Sequence, residues 1–441
     1  MVLKSDVKSK NTLLHLDSDN LIFTDEYSYS NNLHNRKLLR IVCSELLEKQ
    51  SEFAFISISL NKFKLLNDIY GHHVVDKLLI KFSEIIVEAL GSRGIAIRYF
   101  EDEFIIVYKN FKSNVELVDD FNKNILLKLR DPIEVDKDNK IVIDFSIGCS
   151  IYPINGLNVD ELINKSSFMA HNNKKNKEIY FFDDNLYKDI LYSENIKKEL
   201  KYAITKEEFS LMYQPIFDMY KKVQKVEVLM RWNSFKFGFI SPDKFIKYAE
   251  ESRDIINIGY WIIEEVCKYI NTTNIDIVFS VNVSPVQIAD IEFTSTVEKI
   301  ISKYGLDFNR FCFEITESVI LEDNEIVYKN LQFLKNMGAN LALDDFGTGY
   351  ASFNYLKKYN LDILKIDKMF LDYELDEHFE IRKNIKNICN VLNIKVVIEG
   401  VETKEQFDKL KKIKCDLYQG YYLSRPLTSE AFKELMDSSH A

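Results

Sequence analysis

A chain of 441 residues with 46% hydrophobic and 29% charged residues has the composition of an ordinary globular protein, with enough length for two or three domains and one large core. Its formal net charge of −10 excludes non-specific binding to a nucleic acid polymer, which needs clustered Lys and Arg, so an anionic substrate would require metal ions or a local cationic cluster. No apolar run approaches the roughly 18 residues of a membrane span, and the six cysteines are scattered without a C-x-x-C pair. No membrane span, buried reduced thiols and a cytoplasmic location are therefore expected.

Taken in chain order, residues 1–27 are polar and read as a short leader or capping segment. From Phe53 to Leu60 and from Gly94 to Tyr108, apolar runs alternate with helical stretches such as Val74 to Leu90, an α+β or α/β rhythm. The stretch IVIDFSIGCSIY, from Ile141 to Tyr152, predicts a strand pair, followed by a helix from about Val159 to Asn172. Together these make a domain over 28–185. Residues 186–204 lack Gly and Pro and carry apolar residues at helical spacing, which predicts a stiff linking helix running into the next domain.

Over 193–435 the pattern changes. Short apolar runs each end in a polar residue and give way to a helix: VEVLMRW, IVFSVNVS, RFCFEITE, NLALDDFG, DILKID, KVVIEGVE and CDLYQGYYLS. Seven such β/α units predict a barrel, in which the C-terminal strand ends converge on one mouth. That geometry gathers Glu227, Asn282, Glu314, Asp344, Asp345, Lys365, Glu399 and Gln419. Five carboxylates so placed would repel one another, and hard divalent cations resolve the conflict. An all-oxygen donor set suits Mg²⁺ or Mn²⁺ rather than zinc, and two ions about 3.5–4 Å apart would serve phosphodiester hydrolysis, with Asp344 or Asp345 bridging. Read alone, Lys365 also fits an ion pair or a Schiff base of an aldolase-type barrel.

These residues resemble those of the EAL family of cyclic di-GMP phosphodiesterases. The signature stands as Glu227-Val228-Leu229, flanked by Tyr213-Gln214-Pro215 and Arg231-Trp232, and followed by VNVS, FEITE, DDFGTGYAS, LKID, IEGVE and QGYYLSRP. The resemblance implies hydrolysis of cyclic di-GMP to linear pGpG. It assigns Glu227, Asn282, Glu314 and Asp344 to one metal, with Asp344 and Asp345 reaching a second. Lys365 would orient the attacking water, Glu399 would ligate metal or accept a proton, and Gln214, Arg231 and Gln419 would contact substrate. Glu317, Gly347 and Gly349 would form a loop switch tied to a homodimer interface.

The N-terminal domain is similar to GGDEF diguanylate cyclases through NNLHNRKLL, NKFKLLNDIYGHHVVD, RYFEDEF and SIGCSIYP. The implied fold is a nucleotide cyclase-like α+β domain joined by a helix to a TIM-like (β/α) barrel. Where the family has Gly-Gly, this chain has Phe100-Glu101 before Asp102-Glu103-Phe104, and Ser59 replaces a metal-binding aspartate. Side chains at the glycine positions obstruct nucleotide approach, and a hydroxyl is a poor Mg²⁺ ligand. Gly91 and Gly94 stand where the family's inhibitory site has Arg and Asp, whereas Asn67, Asp68 and Lys174 match nucleotide-contacting positions. Cyclase activity is expected to be absent, with GTP as a possible regulator. The alternative is a silent cyclic di-GMP receptor acting through a protein partner.

Overall fold

The computed structural model describes residues 39, 43, 44, 46–49, 51–173, 178–321, 324–346, 353–367 and 376–439. The chain divides into two compact units between Lys188 and Asp189.

The first unit is built on a sheet of β1 (Phe53–Leu60), β2 (Gly94–Arg98), β3 (Glu103–Lys109), β6 (Phe145–Tyr152) and β7 (Ile179–Phe181), in the order β2-β3-β1-β6-β7. All eight residues of β1 are buried, as a central strand covered on both faces requires. One face packs on the helix His72–Leu90 through Leu78, Leu79, Phe82 and Ile86. On the other lies the helix Val159–Asn172, the span read from the sequence. It approaches so closely that a Cβ at Gly148 would meet the Ser166 carbonyl oxygen at 2.0 Å. The expected strand pair in IVIDFSIGCSIY is corrected. Lys140–Ile141 (β5) pairs with Ile133–Glu134 (β4) in a separate hairpin, while β6 joins the main sheet against β1.

The second unit takes up the helix Asp184–Ala203 from Asp189 onward, with Ile196, Leu200 and Ala203 of that helix buried. Its sheet comprises β8 (Phe209–Phe217), β9 (Val223–Ser234), β10 (Gly238–Ile240), β11 (Val278–Asn282), β12 (Phe311–Thr316), β13 (Asn340–Phe346), β14 (Ile363–Ile366), β15 (Lys395–Ile398) and β16 (Leu417–Tyr418). β9 and β11 to β16 run parallel in sequence order, and β8 closes the barrel by pairing antiparallel with both β9 and β16. The seven-strand expectation therefore becomes eight. The eighth strand, FSLMYQPIF, leads into β9 through a short turn rather than a helix, so it carries no β/α signature.

Alternation along the strands sorts the barrel's two faces. Phe279, Phe311, Phe313, Leu341, Leu364, Val396 and Ile398 belong to the large core shared with the surrounding helices. Ile216, Cys312, Ala342, Ile363, Val397 and Leu417 form a separate cluster in the barrel interior.

Candidate metal and catalytic site

Two residues along each parallel strand from this interior layer, the same inward face presents polar groups. Ala342 leads to Asp344, Ile363 to Lys365, Val397 to Glu399 and Leu417 to Gln419. On antiparallel β8 the order reverses, so Gln214 precedes Ile216 and pairs in register with Glu227.

Lys365 stands at the centre, 1% exposed. Its Nζ lies 2.5 Å from Glu314 Oε2, 2.7 Å from Glu399 Oε1, 3.1 Å from Asp344 Oδ1 and 3.5 Å from Glu227 Oε2. Asn282 Nδ2 and Gln419 Nε2 donate to the two oxygens of Glu227 at 2.9 and 2.7 Å. Gly420 sets the approach beside Gln419. Its φ is +156° and a Cβ there would lie 2.2 Å from Val401 N and O, so only glycine lets the chain pass this close.

The electrostatics follow from four carboxylates sharing one buried ammonium. Burial drives the Lys365 pKa down, but Asp344, Glu227, Glu314 and Glu399 outweigh it and hold the ammonium charged. Burial pushes Glu227 up, and Lys365, Gln419 and Asn282 together bring it below its ordinary value. Glu399 is raised well above the usual range by burial, against Lys365 and with repulsion from Asp344 and Glu227. Glu314 is raised from 4.5 to about 7 by burial, opposed by Lys365 and reinforced by Glu227 and Asp344.

A surplus of carboxylates in a partly closed site is what a hard cation neutralises. Glu227, Glu314 and Asp344 each offer an oxygen within 4.8 Å of the others, so this chain's own residues fit a divalent metal. A pH-dependent consequence follows from Glu314. Its raised carboxyl contributes stability that is complete below pH 4.5 and lost as pH rises through about 7. A cation replaces that lost proton. Adding Mg²⁺ to chelator-treated protein is expected to raise Tm more at pH 8 than at pH 5.5. Equal gains measured by thermal denaturation at the two pH values would contradict the assignment.

Gln214, Glu227, Asp344, Lys365, Glu399 and Gln419 line one cavity of about 260 Å³. Asp367, Glu402 and Tyr421 line it too, although sequence reasoning did not single them out. Each stands within a quoted run (LKID, IEGVE, QGYYLS), and for Asp367 and Glu402 the acidic residue that ends the run was the available signal. Gln214 also donates to the Ser424 carbonyl at 3.3 Å. Arg231 opens instead into an adjoining, mostly apolar cavity of about 450 Å³ that shares Asn282 and Glu314 with the acidic cluster. Glu317 is buried at the start of the helix Glu317–Leu321. Gly347, Gly349, Lys174 and the Asp345 side chain lie outside the described residues. All six cysteines are free and buried.

A family model described as EAL domain matches residues 197–426, more than half of the chain. The chain belongs to the EAL domain family. Ahead of the EAL barrel, a model described as Diguanylate cyclase, GGDEF domain, matches residues 30–178, so the two domains stand in tandem. The oxygen sensor protein DosP of Escherichia coli is 32% identical over 418 residues, covering 92% of this chain and 51% of DosP. In Pseudomonas aeruginosa, MucR, a bifunctional diguanylate cyclase/cyclic di-GMP phosphodiesterase, is 29% identical over 90% of this chain and 60% of its own length. The cyclic di-GMP phosphodiesterase NbdA of the same organism is 29% identical over 93% and 54%. The chain thus spans about half to three-fifths of these relatives. Among solved structures, PaMucR phosphodiesterase in complex with c-di-GMP superposes with a TM-score of 0.51 at 31% identity, covering 54% of this chain and 99% of that one. The EAL enzyme Bd1971 in its cGMP-bound form gives 0.53 at 29%, covering 56% and 69%.

In the GGDEF domain, Ser59 is the last residue but one of β1 and the register partner of Glu103 and Ser146. Phe100 and Glu101 occupy the turn between β2 and β3, where the backbone N–H groups of Tyr99 and Phe100 donate to the Glu103 carbonyl. The Phe100 side chain is 53% exposed, while Glu103 is buried. Asp102 supplies a carbonyl to Leu60 N at 2.9 Å. Gly94 is held to glycine by packing, because a Cβ there would fall 2.0 Å from the Val107 carbonyl oxygen.

Proposed function

We propose that this chain is a metal-dependent phosphodiesterase that hydrolyses cyclic di-GMP to linear pGpG through its EAL barrel (193–435), with the GGDEF domain (28–185) acting through the linking helix (186–204) as a non-catalytic regulator. The observation that carries the reading is the buried Lys365 ammonium amid Glu227, Glu314, Asp344 and Glu399. The phosphodiesterase names of MucR and NbdA support the same substrate.

In the reaction, a water oxygen bonds to one phosphorus, the P–O3′ bond breaks, and the 3′ oxygen leaves with a proton, which yields pGpG. Two Mg²⁺ or Mn²⁺ ions held by Glu227, Asn282, Glu314, Asp344 and Asp345 would supply Lewis-acid activation and charge neutralisation. Lys365, held charged, cannot accept a proton and so orients the water. Glu399, 2.7 Å from Lys365 Nζ, is the carboxylate that takes the proton from the water and returns it to the departing 3′ oxygen. Asn282 and Gln419 fix both oxygens of Glu227, Gln214 borders the reacting phosphate, and the Arg231 fork suits the second phosphate. Incubating purified protein with cyclic di-GMP and Mg²⁺ or Mn²⁺ and separating the nucleotides tests this. Binding without pGpG would favour the receptor reading instead.

The loss of cyclase chemistry rests on two independent defects. Ser59 leaves Glu103 as the acidic member of a pair where the family has two, and Phe100 and Glu101 place side chains where a nucleotide needs close backbone approach. A Glu227→Ala variant, which cannot destroy product, is expected to make no cyclic di-GMP from labelled GTP; detectable product would refute the loss of synthesis. Any GTP retained near Asn67 and Asp68 would regulate by unequal affinity for two conformations.

A homodimer through the barrel accords with the intact DFGTG sequence and the burial of Glu317. Light scattering is expected to give twice the 51.8 kDa chain mass. A fully active monomer at assay concentration would overturn it.

A further inference from the structure

Beneath the carboxylate ring the barrel interior holds a second buried cation. Lys225 stands two residues before Glu227 on β9, hence on the same inward face, and is 7% exposed. It lies beside the Cys312 thiol, itself two residues before Glu314 on β12. Strand register ties the layers together. Ser280 of β11 is level with Glu227 on one side and Cys312 on the other, and Asn282 is level with Glu314. No carboxylate forms an ion pair with Lys225 among the described residues. The three aspartates of the cavity into which it opens are otherwise engaged. Asp362 holds Lys335, Asp416 holds Lys386, and Asp218 caps the turn before β9. The second lysine of that cavity, Lys395, is exposed at the start of β15. The uncompensated negative charge nearest to Lys225 along its own strand and along β12 is therefore that of the metal-binding carboxylates.

A buried ammonium whose neighbour is a thiol and not a carboxylate is costly, and its field penetrates the water-poor barrel interior far better than it would water. It attracts the ring of carboxylates and repels any divalent cation placed within that ring. We propose that Lys225 is a built-in counter-charge that lets the carboxylate ring fold without metal and, by the same repulsion, weakens divalent-cation binding. This rests on the metal site proposed above. The EAL site would then load only at a higher free metal concentration than its carboxylates alone would demand, which makes hydrolysis responsive to metal supply. Lys225 touches neither metal nor substrate and acts as a positioning residue.

The test is calorimetric titration of chelator-treated full-length protein with Mn²⁺, free of nucleotide, for the unmodified chain and for Lys225→Met, Lys225→Gln, Lys225→Arg and Lys395→Met. Methionine and glutamine replace the ammonium with neutral side chains of similar length, and two chemistries guard against a folding defect in one. Both are expected to bind Mn²⁺ at least about tenfold more tightly, as removal of one charge at close range in a low-dielectric site implies. Their metal-free Tm is expected to fall relative to their metal-loaded Tm. Lys225→Arg, which keeps the charge, and Lys395→Met, at the exposed position of the same cavity, are expected to bind like the unmodified chain. Affinities within twofold of the unmodified chain in both neutral variants would overturn the proposal while leaving the metal site standing. An equal gain in Lys225→Arg would also overturn it, since the effect would then be one of packing. Mn²⁺ binding by none of the proteins would overturn the metal site and this inference together.

Discussion

Glu227→Ala is expected to lower turnover of cyclic di-GMP by about a thousandfold or more, the scale on which removal of a preorganised charge-stabilising group acts, while the barrel stays folded. Glu227 is the hub of the site's hydrogen bonding. Asn282 and Gln419 donate to its two oxygens, and Lys365 lies 3.5 Å away. Alanine strips two amides of their acceptor and removes one of three oxygens positioned for a cation. Unpaired amide donors cost about 1–3 kcal/mol each when buried. Here the adjoining cavity of about 260 Å³ admits water to satisfy them, and one source of repulsion on Glu314 disappears with the carboxylate. The fold should therefore survive where the chemistry does not. Rates from separated nucleotides, alongside a thermal melt, decide the matter, and undiminished hydrolysis in the folded variant would remove Glu227 from the site.

Lys365→Ala is expected to act on stability as well as on rate. Four carboxylates converge on this ammonium, and Glu314 and Lys365 are each 1% exposed. Breaking a buried pair by deleting one partner costs about 3–5 kcal/mol, because the remaining charge is left uncompensated. For a domain of this size that corresponds to a fall in Tm on the order of 10 °C. The carboxylates can recover part of the loss by binding protons, so the deficit should be larger at pH 8 than at pH 5.5. A divalent cation supplies the missing positive charge, and millimolar Mg²⁺ should restore most of the Tm without restoring activity. Recovery of both together would mean that Lys365 serves only as a counter-ion and has no part in handling the water.

The two variants separate what the sequence determined from what tertiary structure decided. Short apolar runs that each end in a polar residue, such as RFCFEITE and KVVIEGVE, marked Glu314 and Glu399 as groups at strand ends, and the face each occupies follows because pleating sends every second side chain to the same side. Repetition of β/α units then placed those faces inside a barrel, with polar residues at the C-terminal ends. The donor chemistry, oxygen-rich with one lysine, was also legible from composition along those ends. Gln214 was legible only as part of a motif, since its strand runs against the others and presents its inward polar residue before the apolar one.

Contacts that depend on strands far apart in sequence were decided by the fold. That Lys365 sits within 3.5 Å of carboxylates on β9, β12 and β13 and of Glu399 beyond β15 follows from barrel closure and stagger, which no local pattern encodes. Closure by an antiparallel β8 is likewise invisible to a search for β/α units, because its connection to β9 contains no helix. The break in register on β13 between Leu343 and Phe346, at Asp344-Asp345, arises from pairing with a neighbour and not from the run NLALDDFG itself. Lys225 shows the same division. Its sequence position two residues before Glu227 dictates the side of the strand it shares with that carboxylate, but only the closed barrel makes that side a water-poor interior in which one ammonium acts on a whole ring of acids.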